Sequence, residues 1–562
     1  MTTRQRAGLA ALLAAAFLLR LLLILSLRDA PYFYEPIVDG AAYDAWGHRI
    51  ATQSFWGDEA FYQDPLYPYF LGVFYKLFGR DLLAVRMVQA ALATLGLWML
   101  FEAARRKLGF PAAAAALALG AFMKSLAVFD TAILKDWMGV LAVEAALLAW
   151  SLEARWKWLA FGAALGLGTL ARGNMLLVAA AVAVFLAVRR DFKPAAAVAA
   201  GACLCILPVT VRNAAVGGGF VLTTSQLGPN LYTGNNPENT TGRYRPPSFL
   251  EAGATEFEAK GFRAEAERRK GRPLTASEID AYWRREALRY IASHPFTFAS
   301  VTLKRLAMLV QSYEVPDDYD PGFMARFSWV LRLPLFTWGF AVLPLAAAGI
   351  YLAWTERARY AVPLLMLGAY AVSILFFFVF ARYRLPLVPL LLLFAGHALA
   401  KGAQLVRWRM TAVPRTAAIV FAATLVLCFL PLPASVVGHR DFRTSHLNLG
   451  IYRHRQGRHA EAAAELEAAA RLNPALGNDP AFLWTWGSSL EQTRAEDRAF
   501  ELYSRATALD RASPEAPYKL GLIYLSRGML PQAVEKLSDA VARDPSFAAA
   551  YLPLAEAELR LK

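Results

Sequence analysis

Cysteine is nearly absent. Cys203 and Cys205 stand two apart in one apolar run, and Cys428 sits in another. Three such residues make no disulfide framework, and two residues apart on a helix they point in different directions, so they say nothing about redox compartment. Histidine is almost as scarce: His48 has no second histidine nearby, which leaves a metal-ligand role for it weakly supported. No glycine-rich phosphate loop is present, so a bound nucleotide lacks its usual signature. Charge is low as well. Only 18% of the 562 residues are charged while 57% are apolar, which excludes an ordinary soluble multidomain protein. The net charge of +15 would suggest nucleic acid in a soluble chain. Here Lys and Arg fall in short loops between apolar blocks, where a cytoplasm-facing bias accounts for them, and no nucleic-acid partner is expected.

What is present is a series of apolar runs of membrane-crossing length. The N-terminal "RQRAGLAALLAAAFLLRLLLILSLRD" has a basic start but no small-x-small cleavage site, and it reads as an uncleaved first span. Arg20 within it should face the bundle or snorkel to the interface. About eleven spans are expected, near 7–27, 83–104, 112–129, 136–153, 157–172, 174–189, 194–213, 334–354, 360–380, 385–402 and 414–432. "DPLYPYFLGVFYKLFG" is short and aromatic and reads as a helix lying at the interface or leading into span two. With the N-terminus inside, the basic stretches "RQR", "ARRKLG", "EARWKW", "RRDFK" and "TERARY" all face the cytoplasm. The expectation is an integral protein of a bacterial inner membrane, with its tail on the periplasmic side.

Three regions then fall outside. The loop 28–82 crowds Glu35, Asp39, Asp44, Asp58, Glu59 and Asp64 among aromatic side chains. The region 214–330 is too long for a connector; it opens with Gly- and Asn-rich sequence and continues as a charged helix expected over 251–294. The tail, 436–562, changes character from the multispan part, 1–435. Aligning Gly450, Gly487 and Gly521 gives spacings of 37 and 34. Ala462, Ala499 and Ala533 then coincide, as do Leu466, Tyr503 and Leu537, and Ala469, Ala506 and Ala540. This pattern resembles the tetratricopeptide repeat, an α-solenoid of paired helices with small residues at the close contacts. The expected fold class is therefore an all-α polytopic membrane protein with a C-terminal α-solenoid, and a protein partner is expected on the repeats.

Charged positions converge on the outer face. Asp39 follows span one, Asp136 opens span four, and Arg382 and Arg384 stand in "FARYRLPLVP" at the end of span nine. Carboxylates beside arginines at an interface suit an anionic lipid headgroup and a hydroxyl nucleophile. Arg172, between spans five and six, is a further phosphate candidate. Each has a duller alternative: a solvated acid for Asp39, a helix cap for Asp136 with Lys135 neutralising it, and interfacial anchors for Arg382 and Arg384. Asp44 reads as surface or as a secondary acid. "GPNLYTGNN" is either a turn-rich loop or a lid, with Asn230, Tyr232, Asn235 and Asn236 as candidates for contacting an acceptor or sugar. "NTT" at 239–241 matches a glycosylation sequon and is too short to carry an argument.

"VDGAAYDAWGHRIA", "DPLYPYFLGVFYKLFG", "RMVQAALATL", "GPNLYTGNNPENTTGRY" and "ARYRLPLVPLLLLFAG", in that order, resemble bacterial members of glycosyltransferase family 39. That family includes the protein O-mannosyltransferases and is similar to the lipid A aminoarabinose transferases, all of the GT-C fold. A multispan core followed by these repeats also resembles animal transmembrane O-mannosyltransferases with tetratricopeptide tails. The resemblance implies transfer of a sugar from a polyprenyl phosphate to a protein, lipid or glycan acceptor. It also implies a catalytic base at Asp39, in "D-x-x-x-Y" with Tyr43. Where family members carry a second acid before that tyrosine this chain has Ala42, with Asp44 following instead. No cofactor is required, and a divalent metal shared by Asp136 or Asp44 stays open. The competing classes are a lipid-linked sugar flippase, which would bury charges mid-span and show paired halves, and a non-enzymatic scaffold, which would leave the outer acids without a role.

Overall fold

The computed structural model describes residues 1–217, 219–250, 255–317, 320–407, 415–437 and 441–562. The chain divides into two compact units, Met1–Gly438 and His439–Lys562. Among the described residues both are helical; the only extended pairing is an isolated bridge between Met123 and Phe336.

In the first unit, five helices are long and apolar enough to cross a membrane: Thr3–Ser26, Leu82–Leu108, Phe192–Gly217, Trp338–Glu356 and Ala381–Gln404. Four shorter apolar helices accompany them: Phe110–Ala121, Met175–Val188, Ala361–Leu375 and Arg415–Phe429. In chain order the helices up to the outer region are α1 (Thr3–Ser26), α2 (Val38–Thr52), α3 (Leu66–Phe78), α4 (Leu82–Leu108), α5 (Phe110–Ala121) and α6 (Lys124–Thr131). They continue with α7 (Asp136–Ser151), α8 (Lys157–Thr169), α9 (Met175–Val188) and α10 (Phe192–Gly217). The span expected at 112–129 is interrupted: α5 ends at Ala121, and Phe122 and Met123 leave the helix, Met123 bridging to Phe336, before α6 begins at Lys124.

Small residues let these helices approach. A Cβ on Gly162 of α8 would lie 2.1 Å from the Val198 carbonyl oxygen of α10, and one on Gly201 would lie 2.1 Å from that of Leu159. Without a hydrophobic drive between helices in lipid, such contact is the main source of association. Arg20 does not snorkel. It is fully buried, pairs with Asp130 at 2.6 Å, and donates to the carbonyls of Ala16 and Ala121.

The outer region holds α11 (Leu227–Gly234), α12 (Thr255–Lys270), α13 (Ala276–Ser293) and α14 (Pro295–Val310). The single helix expected over 251–294 is two. Gly271 takes φ +69, Pro273 follows, and Thr275 starts α13 in a capping box with Glu278. "GPNLYTG" is likewise a helix, α11, and not an open loop.

In the second unit, helices Arg443–Arg455 and His459–Leu472, Pro480–Gln492 and Glu496–Leu509, and Glu515–Ser526 and Leu530–Arg543 form three antiparallel pairs, followed by Tyr551–Leu561. The repeat alignment has a direct physical basis. A Cβ on Gly450 would come within 2.6 Å of Leu466, on Gly487 within 2.9 Å of Tyr503, and on Gly521 within 2.5 Å of Leu537. The aligned alanines 462, 499, 533, 469, 506 and 540 are all buried.

Candidate active site

Asp39 stands in the first turn of α2, just after Val38, whose φ of +49 is a strained backbone for a β-branched residue. Strain of this kind costs about 1–3 kcal/mol and persists only where the surroundings impose it. Here α2 is clamped onto α3: a Cβ on Gly72 would meet Ile50 at 2.4 Å, and one on Gly47 would meet Leu71 at 2.7 Å. The acidic end of α2 is thereby held against the segment from Ala381 to Leu387, a buried 3₁₀ turn that carries Arg382.

The arginine is the hub. Arg382 Nη2 lies 2.7 Å from Asp39 Oδ2 and also pairs with Asp317, while its Nη1 stands 3.9 Å from Asp136 Oδ2. Asp136, fully buried in the first turn of α7, pairs with Arg172. The Arg172 Nη2 group also donates to the Arg382 carbonyl at 3.4 Å, and its guanidinium lies over the Tyr383 ring at 4.7 Å. The result is an alternating network of three carboxylates and two guanidiniums. Burial, against the pull of Arg382 and with the push of Asp39, raises Asp317 to about 6.

This network faces a cavity of about 970 Å³ whose wall includes Asp39, Tyr43, Arg172, Asn230, Asp317 and Arg382. One side of it is apolar, formed by Leu176, Leu177 and Ala180 of α9 together with Ile374 and Phe376–Phe378. A second pair, Lys135 with Asp64, lines the same space.

Other residues of interest are occupied elsewhere. Arg384 points away from the cavity, donating to the carbonyls of Gln311 at 2.8 Å, Tyr313 at 3.0 Å and Met308. Asp44 pairs with Arg80 at 2.6 Å and accepts from the Tyr75 hydroxyl at 2.7 Å. Asp136 is absent from the wall and serves to hold the two arginines. Tyr232 packs on Trp283, ring centroids 4.6 Å apart. The Asn235 amide donates to the carbonyls of Leu231 and Phe376 and its oxygen accepts from Arg305, while Asn236 closes α11 through the Tyr232 carbonyl. The glycines of α11 serve packing: a Cβ on Gly228 would lie 2.0 Å from the Asp280 carbonyl oxygen, and one on Gly234 2.4 Å from that of Phe377. Asn239 of the sequon is buried and donates to the carbonyls of Thr233 and Arg243.

Asp317 and Glu258 were not singled out from sequence. Both lie in the long outer region, and no local pattern separates them from its many other charges. Among the described residues, no group of three His, Cys, Asp or Glu side chains is placed to hold a metal ion. The acids converge on the Arg382 guanidinium, which fills the place between Asp39 and Asp317 that a cation would take. The site as built does not fit a resident divalent ion.

Residues 62–213 match the family described as Dolichyl-phosphate-mannose-protein mannosyltransferase. The resemblance drawn from the sequence motifs holds over that segment, which includes Asp136 and Arg172 but neither Asp39 nor Arg382. Among solved structures, the chain is similar to the Archaeoglobus fulgidus oligosaccharyltransferase, at 14% identity and TM-score 0.40 over 78% of this chain. It spans 57% of the length of that protein. It is also similar to ArnT from Cupriavidus metallidurans, at 16% identity and TM-score 0.41, covering 98% of this chain and 88% of that one. No curated protein sequence matches the chain.

Proposed function

We propose that this integral membrane protein is a glycosyltransferase. It moves a sugar from a polyprenyl-phosphate donor to an acceptor nucleophile, a hydroxyl or similar group of a protein, lipid or glycan, at the outer face of the membrane. One observation carries the reading: Asp39 and the guanidiniums of Arg172 and Arg382 share the wall of one cavity whose other side is apolar. A phosphate suits the arginines, a polyprenyl chain suits the apolar side, and a carboxylate suits a proton to be removed. The match of residues 62–213 to a dolichyl-phosphate-mannose family supports the same donor class.

In this reading the donor phosphate competes with Asp39 for Arg382, loosening the 2.7 Å ion pair and making the carboxylate available. Asp39 takes the proton of the acceptor O–H as that oxygen attacks the anomeric carbon. The bond from that carbon to the phosphate oxygen breaks, and its electron pair leaves with the phosphate. Charge grows on the phosphate in the transition state, where guanidinium donors of fixed geometry have their greatest effect. Asp136 keeps both arginines aimed. Direct displacement inverts the anomeric centre.

The test uses purified protein in liposomes with a panel of radiolabelled polyprenyl-phosphate sugars and, in parallel, nucleotide sugars. The reading expects consumption of a lipid-phosphate sugar, product of inverted configuration, and no use of nucleotide donors. Product that retains the donor configuration would remove the direct-displacement step.

A further inference from the structure

The mechanism above leaves four carboxyls of the cavity wall unused; Asp64, Asp280 and Asp317 are held by Lys135, Arg284 and Arg382, which leaves Glu258. Among the described residues Glu258 is the only side chain that α12 contributes to the wall. Its helix is set against α13 by Phe262, Ala266 and Trp283, with the Trp283 indole donating to the Phe262 carbonyl at 3.0 Å. The same helix packs on α2, which carries Asp39. Glu258 therefore stands on a braced support at the Asp39 end of the site.

The surroundings of Glu258 differ from those of the other acids. Asp39 and Asp317 are paired with Arg382; among the described residues no ion pair joins Glu258 to a cation. Facing it are Asp39 from α2, Asp317, and the hydroxyls of Tyr62 and Tyr244, with Asp280 and Arg284 of α13 in the same wall, paired with each other at 3.0 Å. The Tyr62 and Tyr244 hydroxyls are placed to hydrogen-bond the Glu258 carboxyl, and Tyr244 lines the cavity with it. Burial first, then the charges of Asp39 and Asp317, push the Glu258 carboxyl up to about 7. A protonated carboxyl offers one donor and an acceptor, and the Tyr244 hydroxyl offers both, which together match the hydroxyls of a sugar ring. A site that hydrogen-bonds a hydroxyl discriminates sharply, because its buried polar groups are left unpaired when that hydroxyl is missing.

We propose that Glu258, held by Tyr62 and Tyr244, is a specificity-determining residue that reads the hydroxyls of the donor's sugar ring. The inference rests on the lipid-phosphate sugar reading and extends it to the sugar.

Binding to protein in nanodiscs tests it, comparing undecaprenyl phosphate with undecaprenyl-phosphate glucose, mannose and a 4-amino-pentose at pH 6 and pH 8.5. The wild type should prefer a hexosyl lipid to the bare lipid phosphate. Glu258→Ala should lose about tenfold of that preference at both pH values, with its affinity for the bare lipid unchanged. Glu258→Gln, permanently neutral, should keep the preference at both, whereas the wild type should lose part of it at pH 8.5 as its carboxyl ionises. Arg382→Ala should weaken every lipid alike; if it does not, the phosphate assignment fails while the Glu258 comparison still stands. The proposal is overturned if Glu258→Ala keeps the wild-type preference or if Glu258→Gln behaves like Glu258→Ala. It is also overturned if the wild type shows no preference for any sugar-bearing lipid over the bare lipid phosphate.

Discussion

At the scale of single residues, Arg382 has the most at stake. It neutralises Asp39 and Asp317 and approaches Asp136, all with side chains mostly shielded from solvent. Lysine keeps the charge but not the planar fork, so Arg382→Lys should bridge at most one of these acids. The expected loss in donor turnover is about 10²-fold or more, read in the liposome assay against an unchanged unfolding profile. The elevated Asp317 and Glu258 carboxyls make a second prediction. Their folded values, about 6 and about 7, lie above ordinary carboxyl values, so the folded protein holds these protons more tightly than the unfolded chain. Their stabilising contribution is complete below about pH 4 and is lost as pH rises through 6 and 7. Thermal unfolding in nanodiscs should show a lower Tm at pH 8 than at pH 5, and Glu258→Gln should flatten that slope. Sequence placed Asp39, Arg172 and Arg382 at the outer edge because each flanks a recognisable apolar run, and the three share one cavity wall. It grouped Arg384 with Arg382, two residues away, whereas on this buried 3₁₀ turn one arginine lines the cavity and the other meets backbone carbonyls. Only the fold separates the two.

At the scale of elements, the contact of α2 on α3 governs where Asp39 stands. Gly72→Ala would force a methyl to 2.4 Å from Ile50. Overpacking of this kind costs about 1–3 kcal/mol, and here the shift would also move the acidic end of α2. The expected result is a fall in both Tm and turnover, with Ile50→Ala in the same chain restoring part of each. The repeat helices were legible in detail, since Gly487 facing Tyr503 is the same contact as Gly521 facing Leu537, and sequence periodicity records it. The outer region was less so. The stop signal "GRPLTASE" was available to divide 251–294 into α12 and α13, but the charged run masks it. In α11 the glycines and asparagines suggested an open loop; tight packing on Asp280 and Phe377 makes a helix of them.

At the scale of the whole molecule, the described residues of the cavity wall all belong to Met1–Gly438. A chain ending at residue 438 should therefore keep donor hydrolysis in liposomes, and any loss should appear in transfer to a macromolecular acceptor. The broad architecture was readable because both of its parts repeat a simple pattern: apolar runs first, paired amphipathic helices after. The cavity was not readable, because it gathers residues from α2, α9, α12 and the turn after the helix Ala361–Leu375, hundreds of positions apart. The most direct measurement is consumption of a radiolabelled polyprenyl-phosphate sugar by wild type and Asp39→Asn in the same liposomes, with folding of both checked by thermal unfolding. Asp39→Asn keeps the shape and removes the base, so turnover should fall by at least about 10²-fold while the lipid phosphate still binds. Equal turnover by two folded proteins would contradict Asp39 as the base.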